Sequence, residues 1–489
     1  MIQIKDTSFR YAGEGVNGSV EQISLDIKKG ECVVFCGRSG CGKTTIMRLI
    51  NRLIPGHFVG AFQGEVRVNQ EDTFDMPMYQ LAERVGSVFQ NPRTQFFQTD
   101  TDSEIVFGCE NCGMPQEQLE IRRLHTLKEL KLEALAGRNI FEMSGGEKQK
   151  IAFASVYAMN PAIYLLDEPS SNLDIESVNE LRAYLEILKE QGKTIVLTEH
   201  RLYYLMGLAD RIVYIEEGRI QQIFLTKYLY EMSQEQRREM GLRAIDLEQV
   251  HVMRARVKPA KVERTLLEAK EVSIYRKKRK LLEKINFVAG KGEVIAITGT
   301  NGSGKTTLLR TICGLHSEYD GDFLREGVVQ KNKQRLKHSY MVMQDVNYQL
   351  FAENVEAECR LGLKHPPKKK IEDTLQMLNL YEWRERHPNT LSGGQKQRLA
   401  IAVSVVCDKE ILILDEPTSG LDYDSMKKVA DLLRELSKDK LIFVVTHDYE
   451  LICEVCTRML HFEQGKLRLD IPVEPEQEEV IKRAMKIPR

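Results

Sequence analysis

Short apolar runs, closed by glycine or by charge, recur along the chain at the length of buried strands. Cys32-Val-Val-Phe-Cys36 and Val294-Ile-Ala-Ile297 each lead into a glycine-rich turn, and a helical segment follows, Thr45-Ile-Met-Arg-Leu-Ile and Thr307-Leu-Leu-Arg-Thr-Ile. Ile163-Tyr-Leu-Leu-Asp167 and Ile411-Leu-Ile-Leu-Asp415 are apolar until they stop at a carboxylate, and Leu441-Ile-Phe-Val-Val445 has the same length. Unbroken apolar runs of this length read as buried strands. The segments Glu117-Gln-Leu-Glu-Ile-Arg-Arg-Leu and Ile371-Glu-Asp-Thr-Leu-Gln-Met-Leu have helical spacing, and two further helices open at Ile151 and Leu399. The pattern predicts an α/β fold. No stretch approaches the ~18 apolar residues of a membrane helix, so the chain is not expected to cross a bilayer by itself.

The pattern occurs twice. Gly37-Arg-Ser-Gly-Cys-Gly-Lys-Thr44 returns as Gly299-Thr-Asn-Gly-Ser-Gly-Lys-Thr306, Ser144-Gly-Gly-Glu-Lys-Gln149 as Ser392-Gly-Gly-Gln-Lys-Gln397, and Leu166-Asp-Glu-Pro169 as Leu414-Asp-Glu-Pro417. Constant order at near-constant spacing means a duplicated domain. We place the first domain at 1–224, a linker at 225–263 and the second domain at 264–489, with a short C-terminal extension. Lys43 to Ser144 spans 101 residues but Lys305 to Ser392 only 87. The second copy is therefore expected to carry a trimmed β-rich insertion and a slightly smaller helical one. The polar linker is expected to hold a short helix before an extended link, and the tail after Pro472 one further helix.

With 489 residues, 29% charged and 42% hydrophobic, the composition is globular rather than fibrous or disordered. The net charge of −1 gives no basic excess for phosphate contacts, so no nucleic-acid partner is expected. Met1 to Thr7 lacks the charged start and apolar core of an export signal, and ten cysteines then read as reduced thiols. The pairs Cys109/Cys112 and Cys453/Cys456 are too far apart for one zinc ribbon and are expected to pack in the core. The run Arg276-Lys-Lys-Arg-Lys280 is expected at a solvated hairpin tip.

Each glycine-rich loop stands between a strand and a helix, the context that lets backbone N–H groups curl round phosphates while the helix terminus adds a positive dipole. The loops are Gly37, Arg38, Ser39, Gly40, Cys41, Gly42, Lys43, Thr44 and Thr45, and Gly299, Thr300, Asn301, Gly302, Ser303, Gly304, Lys305, Thr306 and Thr307. Lys43 and Lys305 would reach the β and γ oxygens, while Thr44 and Thr306 would face Mg²⁺ together with Asp167 and Asp415. Glu168 and Glu416 follow those aspartates and are candidate general bases for an attacking water. Ser144, Gly145 and Gly146, like Ser392, Gly393 and Gly394, open a helix and offer a hydroxyl and bare backbone to an anion.

At these residues the chain resembles the ATP-binding-cassette (ABC) ATPases, whose signature reads Leu-Ser-Gly-Gly-Gln. Leu391-Ser-Gly-Gly-Gln395 matches it, while the first copy departs with Met143 and Glu147. The resemblance covers essentially the whole chain. It implies two tandem P-loop ABC ATPase domains, each a RecA-like α/β core with a β-rich and a helical subdomain. It implies ATP and Mg²⁺ as ligands, and an intramolecular pseudo-dimer in which Lys43 with Ser392, and Lys305 with Ser144, enclose one ATP each. Gln90 and Gln344 match the family's glutamine loop, which touches metal and water. Ser171-Asn-Leu-Asp174 and Ser419-Gly-Leu-Asp422 match its D-loop, His200 and His447 its switch histidine, and Tyr11 and Tyr275 its adenine-stacking aromatic. Both sites look complete.

Beyond the glutamine loops, Gln90-Asn-Pro-Arg-Thr-Gln-Phe-Phe97 and Gln344-Asp-Val-Asn-Tyr-Gln-Leu-Phe351 resemble the Gln-Asn-Pro-x-x-Gln-Leu-Phe segment of the energy-coupling-factor ATPases of vitamin and cobalt uptake. In that family the segment grips the coupling helices of a membrane protein. The resemblance implies an importer motor on the cytoplasmic face of the cell membrane, peripheral to it. Its partners would be a transmembrane scaffold subunit and a membrane-embedded substrate-binding subunit. Two alternatives stand behind it: the ATPase of another ABC transporter, such as a sugar importer, and a soluble ABC protein acting on ribosomes.

Overall fold

The computed structural model describes residues 1–12, 18–171, 173–252, 265–366 and 368–487. The chain divides into two compact units, Met1–Ile245 and Asp246–Arg489. The division falls inside the stretch read as a linker. That stretch holds two short helices, Lys227–Glu231 and Gln234–Glu239, and the expected extended link falls partly on 253–264, outside the described residues.

In the first unit a six-stranded sheet runs in the order Arg219–Leu225, Arg211–Glu216, Cys32–Cys36, Thr194–Thr198, Ile163–Asp167, Val85–Val88. All pairings are parallel except the outermost, between Arg211–Glu216 and Arg219–Leu225. The central strand shows why its sequence is apolar throughout. Val33 and Phe35 join one core with Ile2, Ile4 and Ile46, while Cys32, Val34 and Cys36 join another with Phe153 and Tyr164. Side chains alternate across a strand, so a strand between two cores needs no polar face. Burial pushes the Cys32 and Cys36 thiols up to about 12, which leaves them unreactive packing groups. A four-stranded antiparallel sheet, ordered Val20–Ile27, Ile2–Tyr11, Gly60–Val68, Glu71–Asp72, covers the first core. Helices Thr101–Asn111 and Gln116–Glu129 pack with the helix Gly145–Met159.

The second unit repeats this plan. Its six strands run Ser339–Val342, Ile411–Asp415, Leu441–Val445, Val294–Gly299, Arg458–Glu463, Lys466–Pro472, and its antiparallel sheet runs Arg279–Gly290, Thr265–Arg276, Tyr319–Arg325, Val328–Val329. The shortening is greater in the helical part than the spacing suggested: the two helices have 6 and 10 residues, Val355–Arg360 and Lys368–Met377, against 11 and 14 in the first unit. Part of the lost helix is replaced by loop, which residue counting cannot detect. The basic run is the tip of a hairpin, with Lys277 and Lys278 both at positive φ (50° and 66°), as a two-residue turn of matching twist requires. The tail carries the helix Glu478–Ala484.

The cysteine expectation needs one correction. Cys109, Cys453 and Cys456 are buried, but Cys112 is exposed, because it caps the helix Thr101–Asn111 instead of continuing its apolar face. Among the described residues no group of three His, Cys, Asp or Glu side chains gathers as a metal site. Nor is any described helix long and apolar enough to cross a membrane.

Candidate nucleotide site

In each unit three neighbouring parallel strands end side by side, and their C-terminal ends carry the predicted residues, the place where open α/β sheets bind ligands. Cys32–Cys36 delivers the glycine loop, Ile163–Asp167 delivers Asp167 and Glu168, and Thr194–Thr198 lies between them and delivers His200. Val294–Gly299, Ile411–Asp415 and Leu441–Val445 do the same in the second unit.

The loops require glycine at their first position. A Cβ on Gly37 would lie 2.0 Å from the Ile215 carbonyl oxygen, and one on Gly299 would lie 2.2 Å from that of Phe462. Helices Lys43–Ile50 and Lys305–Cys313 begin at Gly42 and Gly304 with no side-chain cap, so their first N–H groups face the loop. Lys43 Nζ donates to the carbonyls of Gly37 (2.9 Å) and Arg38 (3.0 Å), and Lys305 Nζ to those of Gly299 (2.7 Å) and Thr300 (2.9 Å). These buried ammoniums are thereby held at the centre of the loops, where they can meet an anion. Arg38 joins the loop through its carbonyl, and its guanidinium pairs with Glu216 and the Glu239 carbonyl.

The metal candidates are assembled. Thr44 Oγ1 donates to Asp167 Oδ1 at 3.0 Å and Thr306 Oγ1 to Asp415 Oδ2 at 2.8 Å. Burial holds both aspartate carboxyls above their usual range, with Glu168 adding to the effect at Asp167. A hydroxyl and a carboxylate are hard oxygen ligands of the kind that hold Mg²⁺ beside a phosphate. A cation there would relieve the cost of the buried carboxylate. The donor set fits Mg²⁺.

Glu168 and Glu416 leave their strands at φ 44° and 52°, a left-handed conformation rare for glutamate. Their N–H groups hold it by bonding the Thr198 and Val445 carbonyls at 3.1 and 2.9 Å. This turn redirects the side chains. Glu168 Oε1 lies 3.4 Å from His200 Nε2, and its Oε2 accepts Gln90 Nε2 at 2.6 Å. Glu416 Oε1 lies 3.6 Å from His447 Nε2, and Gln344 follows the edge strand as Gln90 does. A carboxylate flanked by imidazole and amide can orient and deprotonate a water.

Ser144 and Ser392 cap helices Gly145–Met159 and Gly393–Val406, each accepting the N–H three residues on, while Glu147 and Gln395 return the bond to the serine N–H. The first copy's glutamate is compensated: Arg138 donates to it at 2.6 Å. Burial raises the Glu147 carboxyl, but the Ser144 N–H and Arg138 outweigh this and hold it below its usual range. Arg386, the counterpart of Arg138, lies over the Trp383 ring instead.

The aromatic pair diverges. The Tyr11 hydroxyl lies 3.0 Å from both Thr45 Oγ1 and Arg48 Nη1, at the start of the loop helix. The Tyr275 hydroxyl instead donates to Asp320 on the antiparallel sheet at 2.9 Å.

Sequence reasoning also missed three supports. Strand register sets Thr198 beside Asp167 but Val445 beside Asp415, so Thr446 corresponds to Glu199 and not to Thr198. Thr198 Oγ1 donates to Asp167 at 2.6 Å, a bond that Val445 cannot make. Gln95 clamps the glutamine-loop segment to the edge strand, accepting Phe89 N–H and donating to the Ser87 carbonyl, both at 3.2 Å. Gln349 repeats this at Met343 and Met341 at 2.7 and 2.8 Å. Buried Glu104 accepts the N–H groups of Phe97 and Gln98, and buried Glu358 those of Phe351 and Ala352. The duplicated Gln–Gln spacing was the available signal for the first clamp.

The sequence model described as ABC transporter matches residues 20–171 and 282–419. Two Treponema denticola proteins that carry the provisional name ABC transporter ATP-binding protein are 49% and 40% identical to this chain, each over 96% of both partners. Among solved structures, one titled as a model of ribosome-bound archaeal Pelota and ABCE1 superposes with a TM-score of 0.70 over 98% of this chain and 80% of that one. At 23% identity, this is a likeness of fold alone. With matched regions that hold both phosphate loops and both signature serines, and relatives alike along the whole length, this chain belongs to the ABC transporter family as an ATP-hydrolysing protein with two tandem ATP-binding domains.

Proposed function

We propose that the chain is the motor subunit of an energy-coupling-factor-type importer, driving uptake of a vitamin, vitamin precursor or metal ion through separate membrane subunits. The observation that carries this reading is the duplicated segment after each glutamine loop. Clamped by Gln95 and Glu104, or by Gln349 and Glu358, it presents aromatic rings to solvent: Phe97 is 74% exposed, Phe351 73% and Tyr348 64%. In the first unit Phe97 stacks on Phe107 at 5.1 Å and borders a cavity of about 270 Å³ lined also by Met78, Leu81 and Met159. A rigid segment with an exposed ring beside an apolar recess suits an amphipathic helix of a membrane partner.

In this reading the glycine loops with Lys43 and Lys305 bind the ATP phosphates. Thr44 with Asp167, and Thr306 with Asp415, hold Mg²⁺, which supplies charge stabilisation to the phosphates. Glu168 and Glu416 take the proton of the attacking water, oriented by His200 and His447, with Gln90 and Gln344 joining each site to its partner-facing segment. Ser144 and Ser392 offer a hydroxyl and a helix N-terminus to a phosphate, and the glutamine-loop segments carry outward the change that hydrolysis makes. The protein would then sit on the cytoplasmic face of the membrane.

A photocrosslinking residue at position 97 or 351, introduced in the native cell, tests the reading. Crosslinks to a polytopic membrane protein are expected, and crosslinks to ribosomal proteins alone would contradict it.

A further inference from the structure

The turn that carries the histidine is built differently in the two units. By strand register Glu199 corresponds to Thr446, and Arg201 to Asp448. Glu199 is only 2% exposed. Its carboxylate accepts the N–H of His200 (2.7 Å), the N–H of Arg201 (3.0 Å) and the Tyr204 hydroxyl (2.8 Å). Arg201 then reaches across to the neighbouring loop, where its Nη1 donates to the carbonyls of Leu173 at 3.0 Å and Ser170 at 3.4 Å. That loop is the turn following Glu168, closed by Ser171 N–H on the Glu168 carbonyl and Leu173 N–H on the Ser170 carbonyl.

In the second unit the tie runs the other way. Thr446 Oγ1 accepts the Asp448 N–H at 3.0 Å, and Asp448 Oδ2 accepts the hydroxyl of Thr418 at 2.7 Å. Thr418 stands two residues after Glu416, as Ser170 stands two after Glu168. The residue after the histidine is thus bound to the turn after the glutamate in both units, as a cationic donor in the first and as an anionic acceptor in the second.

We propose that Arg201 is a positioning residue for ATP hydrolysis at the first unit: it holds the His200 turn and the turn after Glu168 at a fixed separation. Glu168 and His200 follow different strands, and beyond the strand ends this tie adds to the Glu168 N–H bond to the Thr198 carbonyl in fixing one side chain against the other. A charged donor shared between two carbonyls is a strong tie, and small displacements of reacting groups are costly to rate. The inference rests on the reading of Glu168 and His200 as the hydrolytic pair. It adds that the two sites are held by opposite polarity and can be loosened one at a time.

The test uses the full chain carrying Glu416→Gln, so that the first glutamate alone supports turnover. Arg201→Ala is expected to lower kcat roughly tenfold with KM for ATP unchanged. Arg201→Lys should recover most of that rate, because a single nitrogen makes both contacts. In a Glu168→Gln chain, Arg201→Ala should leave the remaining turnover unchanged. An unaltered kcat in the first background, an equal loss in both, or a loss that lysine does not recover would overturn the proposal. Should the alanine variant not fold, Arg201→Gln is read in the same way. Full turnover in Glu168→Gln itself would remove the underlying reading and the proposal together.

Discussion

Asp167 ends a strand with its carboxyl pushed above the usual aspartate value of 3.8, burial being the main cause and Glu168 the second. A raised carboxyl is protonated more readily folded than unfolded. Its stabilising contribution is therefore present at low pH and lost as pH rises from about 3.8 through the folded value, leaving a cost at neutral pH. Asp167→Asn should then raise the nucleotide-free melting midpoint at pH 7 by a few degrees and flatten its fall with pH, while hydrolysis drops; a lower midpoint in calorimetry would refute the burial argument. Glu168→Gln and Glu416→Gln should each lower steady-state ATP turnover, the site concerned losing about a hundredfold or more. Unchanged turnover in either variant would remove that glutamate from the mechanism. The residues of the phosphate loop and signature were legible because their chemistry lies within a few consecutive positions. The pairing of Thr198 with Asp167, set against Val445 with Asp415, was not, since it depends on register between strands about 30 residues apart in sequence.

At the scale of elements, the sequence showed the strands and helices that carry the loops, because apolar runs and helical spacing are local signals. It gave a poorer account of the helical subdomain, where the second unit trades helix for loop. It also gave no hint that Glu104 and Glu358 are buried beneath the segments that follow the glutamine loops. Each accepts two backbone N–H bonds across six or seven residues, and burial raises the Glu104 carboxyl against the pull of those bonds. Glu104→Leu would leave two donors without acceptors, at a cost of about 2–4 kcal/mol. Hydrogen exchange at Phe97 and Gln98 is expected to accelerate while the loop helix Lys43–Ile50 keeps its protection. Exchange unchanged at those two amides would show that the clamp does not hold the segment.

For the whole molecule, duplication is the dominant fact: two units share one topology and one set of site residues, with different supporting bonds around the tyrosine, the signature and the histidine. Each unit carries the same set of candidate residues, and no described helix is long and apolar enough to span a bilayer. On the proposed reading, the exposed rings on the clamped segments meet other polypeptides that supply the transport path. The central claim is that those polypeptides are membrane subunits of an energy-coupling-factor importer. Its most direct test is to purify the tagged chain in detergent from its native membranes and identify what accompanies it by mass spectrometry. The account predicts a polytopic scaffold together with a small membrane-embedded binding subunit, whereas ribosomal proteins with no membrane partner would contradict it.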